Sequence, residues 1–269
     1  MDRQDICILL NSTPKYYFML ELNVVMLRRY ASAVKWPVYF ATEVPEHPLC
    51  KRLQKEFGVR ILKLELVDAG FLESRVAALA ALPSTIQYVL PLQEDFLLDR
   101  APMTKLLADA VSLMDLDKTV SSIRLMPCPG PVESDVVYAA GSPWSILNGS
   151  DVYHFTYQAT LWRRDDLLAY FSALVSKIGS TSESLEEKKY SALTLNIAET
   201  YVGKEILKNI LPSSIHLAYK RVGKWSNAVY LCPWPYRPTA IVRGKVEPFA
   251  EELFKREGVE YLPPSTRLL

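Results

Sequence analysis

Apolar and polar positions fall into short alternating blocks along the chain. Asp5 to Leu10 (D-I-C-I-L-L) is an unbroken apolar run that predicts a buried strand, stopped by the polar turn Asn11-Ser12-Thr13-Pro14. From Tyr16 to Tyr30 the apolar residues Phe18, Leu22, Val25 and Met26 recur at helical spacing. Val38 to Ala41 predicts a second strand, Cys50 to Phe57 a helix, and Arg60 to Leu66 a third strand. Gly70-Phe71-Leu72-Glu73-Ser74-Arg75 opens an Ala- and Leu-rich helix that Pro83 ends. Ile86 to Leu92 is a fourth strand, and it runs straight into Gln93-Glu94-Asp95.

Strands and helices alternating at this spacing predict parallel pairing, and so an α/β fold built as a three-layer α/β/α sandwich around a mostly parallel, Rossmann-like sheet. Ligands of such sheets bind beyond the carboxyl ends of the strands. Asn11-Ser12-Thr13, Thr42-Glu43, Asp68 to Gly70 and Glu94-Asp95 are therefore expected along one edge.

The second half continues with an amphipathic helix from Pro102 to Met114 and a strand from Val120 to Leu125. Pro127 to Gly149 has little periodicity and much Pro, Gly and Ser, which predicts a long functional loop. Tyr153 to Trp162 reads as extended, and Asp165 is placed to cap a helix bearing Leu167, Leu168, Phe171 and Leu174. A further helix opens at Ser182 or Ser184, with Glu183, Glu186 and Glu187 in its first turns. The tail alternates short extended runs (His216 to Arg221, Ala228 to Leu231, Thr239 to Val242) with Pro-rich turns, then a helix from Pro248 to Arg256. With no repeat and no evident linker, residues 1–269 are expected to form a single domain.

Composition narrows the classes. A formal charge of +1, with no basic stripe, disfavours a nucleic-acid partner. No apolar run approaches the length of a membrane span, and M-D-R-Q-D-I-C-I-L-L-N is too acidic and too short in its apolar part for a signal peptide. Cys7, Cys50, Cys128 and Cys232 are scattered without metal-ligand spacing, so reduced thiols in a cytoplasmic protein are expected.

The chemistry concentrates at Glu94 and Asp95. Adjacent carboxylates at the end of a buried strand suit a hard divalent cation shared with substrate phosphates, or proton acceptance from an attacking hydroxyl. They equally suit a structural role, with Glu94 capping a turn or pairing with Arg100 and Asp95 bonding loop amides.

The order of these features resembles the GT-A class of nucleotide-sugar-dependent glycosyltransferases, particularly polysaccharide-building members. The helix before the fourth strand carries Arg75, the strand ends in the D-x-D-like Gln93-Glu94-Asp95, and Y-Q-A-T-L-W-R-R-D-D-L looks like an acceptor-side segment. The resemblance implies a nucleotide-sugar-binding half over residues 1–100 and an acceptor-binding half over 101–269. It implies that Asn11, Ser12, Thr13 and Glu43 hold the base and ribose. Arg75, Glu94 and Asp95 would hold the diphosphate, and Asp95 would ligate Mn²⁺ or Mg²⁺. Gln93 departs from the motif, since it brings no charge where the class has its first Asp.

The implied reaction is hexosyl transfer from a nucleoside-diphosphate sugar, UDP-sugars favoured, to a glycan or lipid-linked acceptor, in the cytoplasm or at a membrane surface. Lys224, in K-R-V-G-K, could stabilise the leaving diphosphate, or the run could be a solvated basic turn. His216 is a second metal candidate. Asp151, Glu183, Glu186 and Glu187 are candidate bases, though the glutamates also suit a helix N-terminus. Trp144, Tyr157 and Trp162 could be platforms for an acceptor sugar, or core. Two other functions compete: a noncatalytic nucleotide-sugar or glycan-binding protein of the same fold, and a sugar nucleotidyltransferase. The latter is disfavoured because N-S-T-P-K lacks the glycines of a phosphate-cradling loop.

Overall fold

The first apolar run becomes β1 (Ile6–Asn11), covered on both faces as a continuous Ile-Cys-Ile-Leu-Leu sequence requires. The computed structural model describes residues 2–66, 70–126, 136–147, 153–180, 197–219, 232–237, 239–242 and 244–260. The remaining strands of the main sheet are β2 (Val38–Thr42), β3 (Arg60–Lys63), β4 (Tyr88–Gln93), β5 (Val120–Arg124), β6 (Trp144–Ile146), β7 (Thr160–Arg163) and β8 (Ile215–Tyr219). Their order is β3-β2-β1-β4-β7-β5-β8-β6. A separate hairpin joins β9 (Ile241–Val242) and β10 (Lys245–Val246).

The described helices are α1 (Tyr17–Tyr30), α2 (Pro48–Phe57), α3 (Phe71–Ala81), α4 (Thr104–Leu116), α5 (Arg164–Ser180), α6 (Tyr201–Ile210) and α7 (Pro248–Glu257). Successive strand residues point to opposite faces, so β1 feeds two cores. Ile6, Ile8 and Leu10 pack with residues of α1, α2, α4 and α7. Cys7 and Leu9 pack with residues of α3, α5 and α6. The result is the expected α/β three-layer sandwich. No described helix is long and apolar enough to cross a membrane. Cys7, Cys50 and Cys232 are buried free thiols, and burial pushes Cys7 and Cys232 up to about 12; Cys128 lies outside the described residues.

Parallel pairing holds for β3-β2-β1-β4 and for β5-β8. It fails at two strands. β7 pairs antiparallel with both β4 and β5, and β6 pairs antiparallel with β8. β6 also falls within the segment expected to be a loop; it is a short strand of Trp144-Ser145-Ile146 whose edge position spares it any longer apolar run. Of Tyr153 to Trp162 only the end is strand. Asp165 sits inside the first turn of α5 rather than capping it. The helix expected from Ser182 or Ser184 lies outside the described residues.

The register matters for function. Asn11 is paired with Ala41 on one side and with Gln93 on the other, so the ends of β1, β2 and β4 form one row.

Candidate active site

The acidic tip is a tight turn at the end of β4, closed by the Phe96 amide donating to the Gln93 carbonyl at 3.3 Å. Its backbone is held from below by Asn23, a polar residue on the buried side of α1. Asn23 Nδ2 lies 3.3, 3.1 and 3.1 Å from the carbonyl oxygens of Gln93, Glu94 and Phe96. From above, the Ala240 amide donates to the Asp95 carbonyl at 3.0 Å, and the Phe96 ring stacks on Tyr236 with centroids 5.0 Å apart. The tip is therefore fixed by one helix and by the segment leading into β9.

Both carboxyls are held above their usual range. Burial pushes Glu94 up to about 7, the neighbouring Asp95 charge adds to this, and Arg75 pulls the other way. Burial pushes Asp95 up to about 6, against backbone N–H donation from its own residue and from Ile241. Two acids shifted upward at the carboxyl edge of the sheet make that edge the candidate site.

Arg75, on α3, is near enough to Glu94 for their charges to interact. Its guanidinium carbon stands 3.5 Å from the Phe71 ring centroid and 5.4 Å from that of Tyr157. Burial lowers it to about 10, so it stays a cation at neutral pH. Among the described residues it has no carboxylate within ion-pair distance. A partly buried cation flanked by rings rather than acids gains from an anion that joins it. Arg75 lines a cavity at the sheet edge with Asn11 of β1, Gln93 of β4 and Thr156-Tyr157 from the segment before β7, over an apolar floor that includes Leu9 and Phe171.

The sequence-derived candidates sort clearly. Asn11, Glu43, Arg75, Glu94 and Asp95 come to the same edge. Ser12 and Thr13 follow directly, with Ser12 Oγ turned to the Thr13 carbonyl at 3.3 Å. Glu43 accepts a hydrogen bond from Ser74 Oγ at 3.1 Å, which ties the end of β2 to the start of α3 beside Arg75.

Tyr157, expected as an acceptor platform, is on this edge too, lining the same cavity as Arg75 with its ring against the guanidinium. Trp144 and Trp162 offer no platform: both rings are fully buried, and Trp144 Nε1 donates to Asp109 at 2.8 Å. Core packing claimed them because β6 and β7 are covered on both sides.

His216 is also removed from the tip. It bonds Ser122 at 2.8 Å between Nδ1 and Oγ, beside His154 and Trp162, and burial holds it well below its ordinary value. Its row runs through Ser122 and Trp162 to Val89. Val89 precedes Gln93 by four positions, roughly 13 Å along the strand. His216 therefore does not join Asp95 on a metal. Asp151, Glu183, Glu186, Glu187 and Lys224 lie outside the described residues.

Two residues escaped the sequence reading. Asn23 carried a weak signal, a lone amide within the apolar L-N-V-V-M of α1. Glu199 carried none. Its Oε1 accepts from Thr156 Oγ1 at 2.8 Å and from the Tyr157 amide at 2.9 Å, shaping the segment that walls the cavity.

Among the described residues no three His, Cys, Asp or Glu side chains are grouped to hold a metal ion. The tip offers two adjacent carboxylates, oxygen donors that would fit a hard cation taking most of its ligands from substrate and water.

No protein-family model matches the sequence, and a search of curated proteins finds no match. Solved structures similar to the chain include the glycosyltransferase GlyE of Streptococcus pneumoniae TIGR4, at 11% identity and TM-score 0.47, covering 98% of this chain and 66% of that one. S. aureus TarS 1-349 is similar at 11% identity and TM-score 0.43, covering 81% and 58%. The 4-diphosphocytidyl-2C-methyl-D-erythritol synthase of Anaerococcus prevotii DSM 20548 is similar at 12% identity and TM-score 0.40, covering 73% and 82%. The chain thus spans about three fifths to two thirds of the lengths of TarS 1-349 and GlyE. Similarity at this level concerns the chain path, and the chemistry of the edge has to carry any functional reading.

Proposed function

We propose that this chain is a GT-A-like glycosyltransferase that moves a hexose from a nucleoside-diphosphate sugar to a hydroxyl of a glycan or lipid-linked acceptor. The observation that carries this reading is Arg75: a partly buried cation with no carboxylate within ion-pair distance among the described residues, lining a cavity at the carboxyl edge of the sheet together with Gln93, next to the turn that bears Glu94 and Asp95. A diphosphate is the ligand class that satisfies the cation and is also compatible with nearby acids, because a divalent cation can stand between phosphate and carboxylate.

In this reading the acceptor oxygen attacks the anomeric carbon while the bond from that carbon to the phosphate oxygen breaks. The nucleoside diphosphate leaves with the electron pair, and the acceptor proton passes to a base. Arg75 is placed to meet the charge that builds on the leaving phosphate. Glu94 and Asp95 would hold Mn²⁺ or Mg²⁺, whose chemistry is to neutralise the same charge. Asn11 and Glu43, at the ends of β1 and β2, would contact base and ribose, and the acceptor-side base is sought among Asp151, Glu183, Glu186 and Glu187. UDP-sugars are the first donors to try, with Lys224 as a candidate cation over the diphosphate.

Thermal melting of the full chain with UDP-, GDP-, TDP- and CMP-sugars, with and without Mn²⁺, tests the reading. A raised midpoint together with slow donor hydrolysis or transfer supports it. Binding without turnover assigns the chain to nucleotide-sugar recognition instead, and no shift with any donor removes the glycosyltransferase reading.

A further inference from the structure

Tyr157 is fixed in place by its ring. The ring centroid lies 5.2 Å from that of Phe71, 5.0 Å from that of Phe155 and 6.4 Å from that of Phe171. Phenylalanine would pack there equally well, so the ring does not explain the hydroxyl. That hydroxyl is buried and has no hydrogen-bond partner among the described residues. An orphaned buried donor is costly, and native proteins keep few of them without a reason.

Its surroundings suggest the reason. Tyr157 lines the same cavity as Arg75, and the Arg75 guanidinium carbon is 5.4 Å from its ring centroid. Cation and phenol thus share a need for the same kind of group, an oxyanion. The backbone at Tyr157 is also unusually constrained for a connecting segment. Glu199 uses one oxygen to hold both Thr156 Oγ1 and the Tyr157 amide, and Thr156 Oγ1 accepts in turn from the Gln158 amide at 3.3 Å. Glu199 is itself braced, because the Tyr170 hydroxyl of α5 donates to the adjacent Ala198 carbonyl at 2.8 Å.

We propose that the Tyr157 hydroxyl is a ligand-binding group that donates to the same anionic ligand as Arg75, and that Glu199 is the positioning residue that holds it there. The ligand is the diphosphate of a nucleoside diphosphate, and the inference rests on the donor-site reading given above. Glu199 acts through the backbone, never touching the ligand.

Calorimetric titration of the full chain with UDP, GDP and TDP in the presence of Mg²⁺ tests this. Y157F should weaken the best-bound diphosphate by about ten- to a hundredfold, the range for losing a hydrogen bond to a charged group. Its unliganded melting midpoint should be unchanged or higher, because the orphaned hydroxyl is gone. E199A should weaken binding similarly, E199Q should restore it by keeping an acceptor oxygen, and Y157F/E199A should bind no worse than Y157F alone. Should E199A not fold, T156V replaces it, since it removes one of the two Glu199 bonds. Wild-type affinity in Y157F, a lowered unliganded midpoint in Y157F, or additive losses in the double variant would overturn the proposal. If R75A loses binding while Y157F keeps it, only this inference fails; if the wild-type chain binds none of the three diphosphates, the donor-site reading fails with it.

Discussion

The side-chain amide of Asn23 lies 3.1 Å from the carbonyl oxygen of Glu94, reaching from the buried side of α1 under the acidic turn. One NH₂ group serves three carbonyls there, so the backbone that presents both carboxylates depends on a residue far away in sequence. Replacing Asn23 with Ala should leave those carbonyls without their buried donor. A loss of about 1–3 kcal/mol in urea unfolding is expected, and unchanged stability would show that the turn holds itself.

Arg75 separates ligand binding from folding. Because the guanidinium is partly buried and has no acid within ion-pair distance among the described residues, R75M should alter unfolding stability by no more than about 1 kcal/mol, the hydrophobic replacement offsetting the lost ring contact. The same variant should abolish the thermal shift with a nucleoside-diphosphate sugar. R75K should also bind poorly, because an ammonium cannot make the bidentate contact of a guanidinium.

Asp95 is tied to the Ile241 amide as well as being a proposed diphosphate-site acid, so its alanine variant would confuse two effects. D95N keeps an acceptor for that amide and removes the charge. Its unfolding midpoint should stay close to wild type while sugar transfer falls by about a hundredfold or more, comparable to losing one preorganised charge-stabilising group. A transfer rate near wild type in D95N would remove Asp95 from the diphosphate site.

Glu94 sets a pH dependence with a definite sign. Its ordinary value near 4.5 rises to about 7 in the folded chain, mainly through burial. Between those values the folded state holds a proton that the unfolded state has released. Its contribution to stability is therefore complete below about pH 4.5 and is lost as pH rises through 7. The difference in urea midpoint between wild type and E94Q, followed from pH 4.5 to 7.5, should move in that direction. A flat difference would place Glu94 in a more solvated setting; His216, depressed and neutral, contributes equally to both proteins.

Trp144 tests the separation of core from site. W144F removes the bond to Asp109 and should lower the unfolding midpoint, while donor affinity of the folded fraction stays at the wild-type value. Weakened donor or acceptor binding without a stability loss would return Trp144 to the site.

Much of the carboxyl edge of the sheet is legible in the sequence because parallel α/β folds are built from local units. An apolar run, a polar turn and a periodic helix name β1, Asn11 and α1 in order, and Pro83 and the acids bracket β4 the same way. The direction of β7 is not legible, because T-L-W-R has the same pattern whether it runs with or against its neighbours. Nor can residue type distinguish a stacking tryptophan from a packed one; the cover on β6 and β7 decides that for Trp144 and Trp162. Glu199 is invisible for a third reason. Its contacts with Thr156 and Tyr157 join two segments that carry no motif and meet only in the folded chain.

The reversal of β7 has a geometric consequence. In a strand running with β4 and β5, the residues before it would emerge at the amino-terminal side of the sheet, opposite Asn11 and Gln93. Because Thr160 of β7 pairs with Arg124 and Arg163 with Tyr88, the order is inverted. The preceding residues 153–159 are delivered to the carboxyl side, a strand length from where a parallel connection would leave them. One strand turned end for end is what lets Phe155, Thr156 and Tyr157 wall a cavity that β1, β4 and α3 could only leave open.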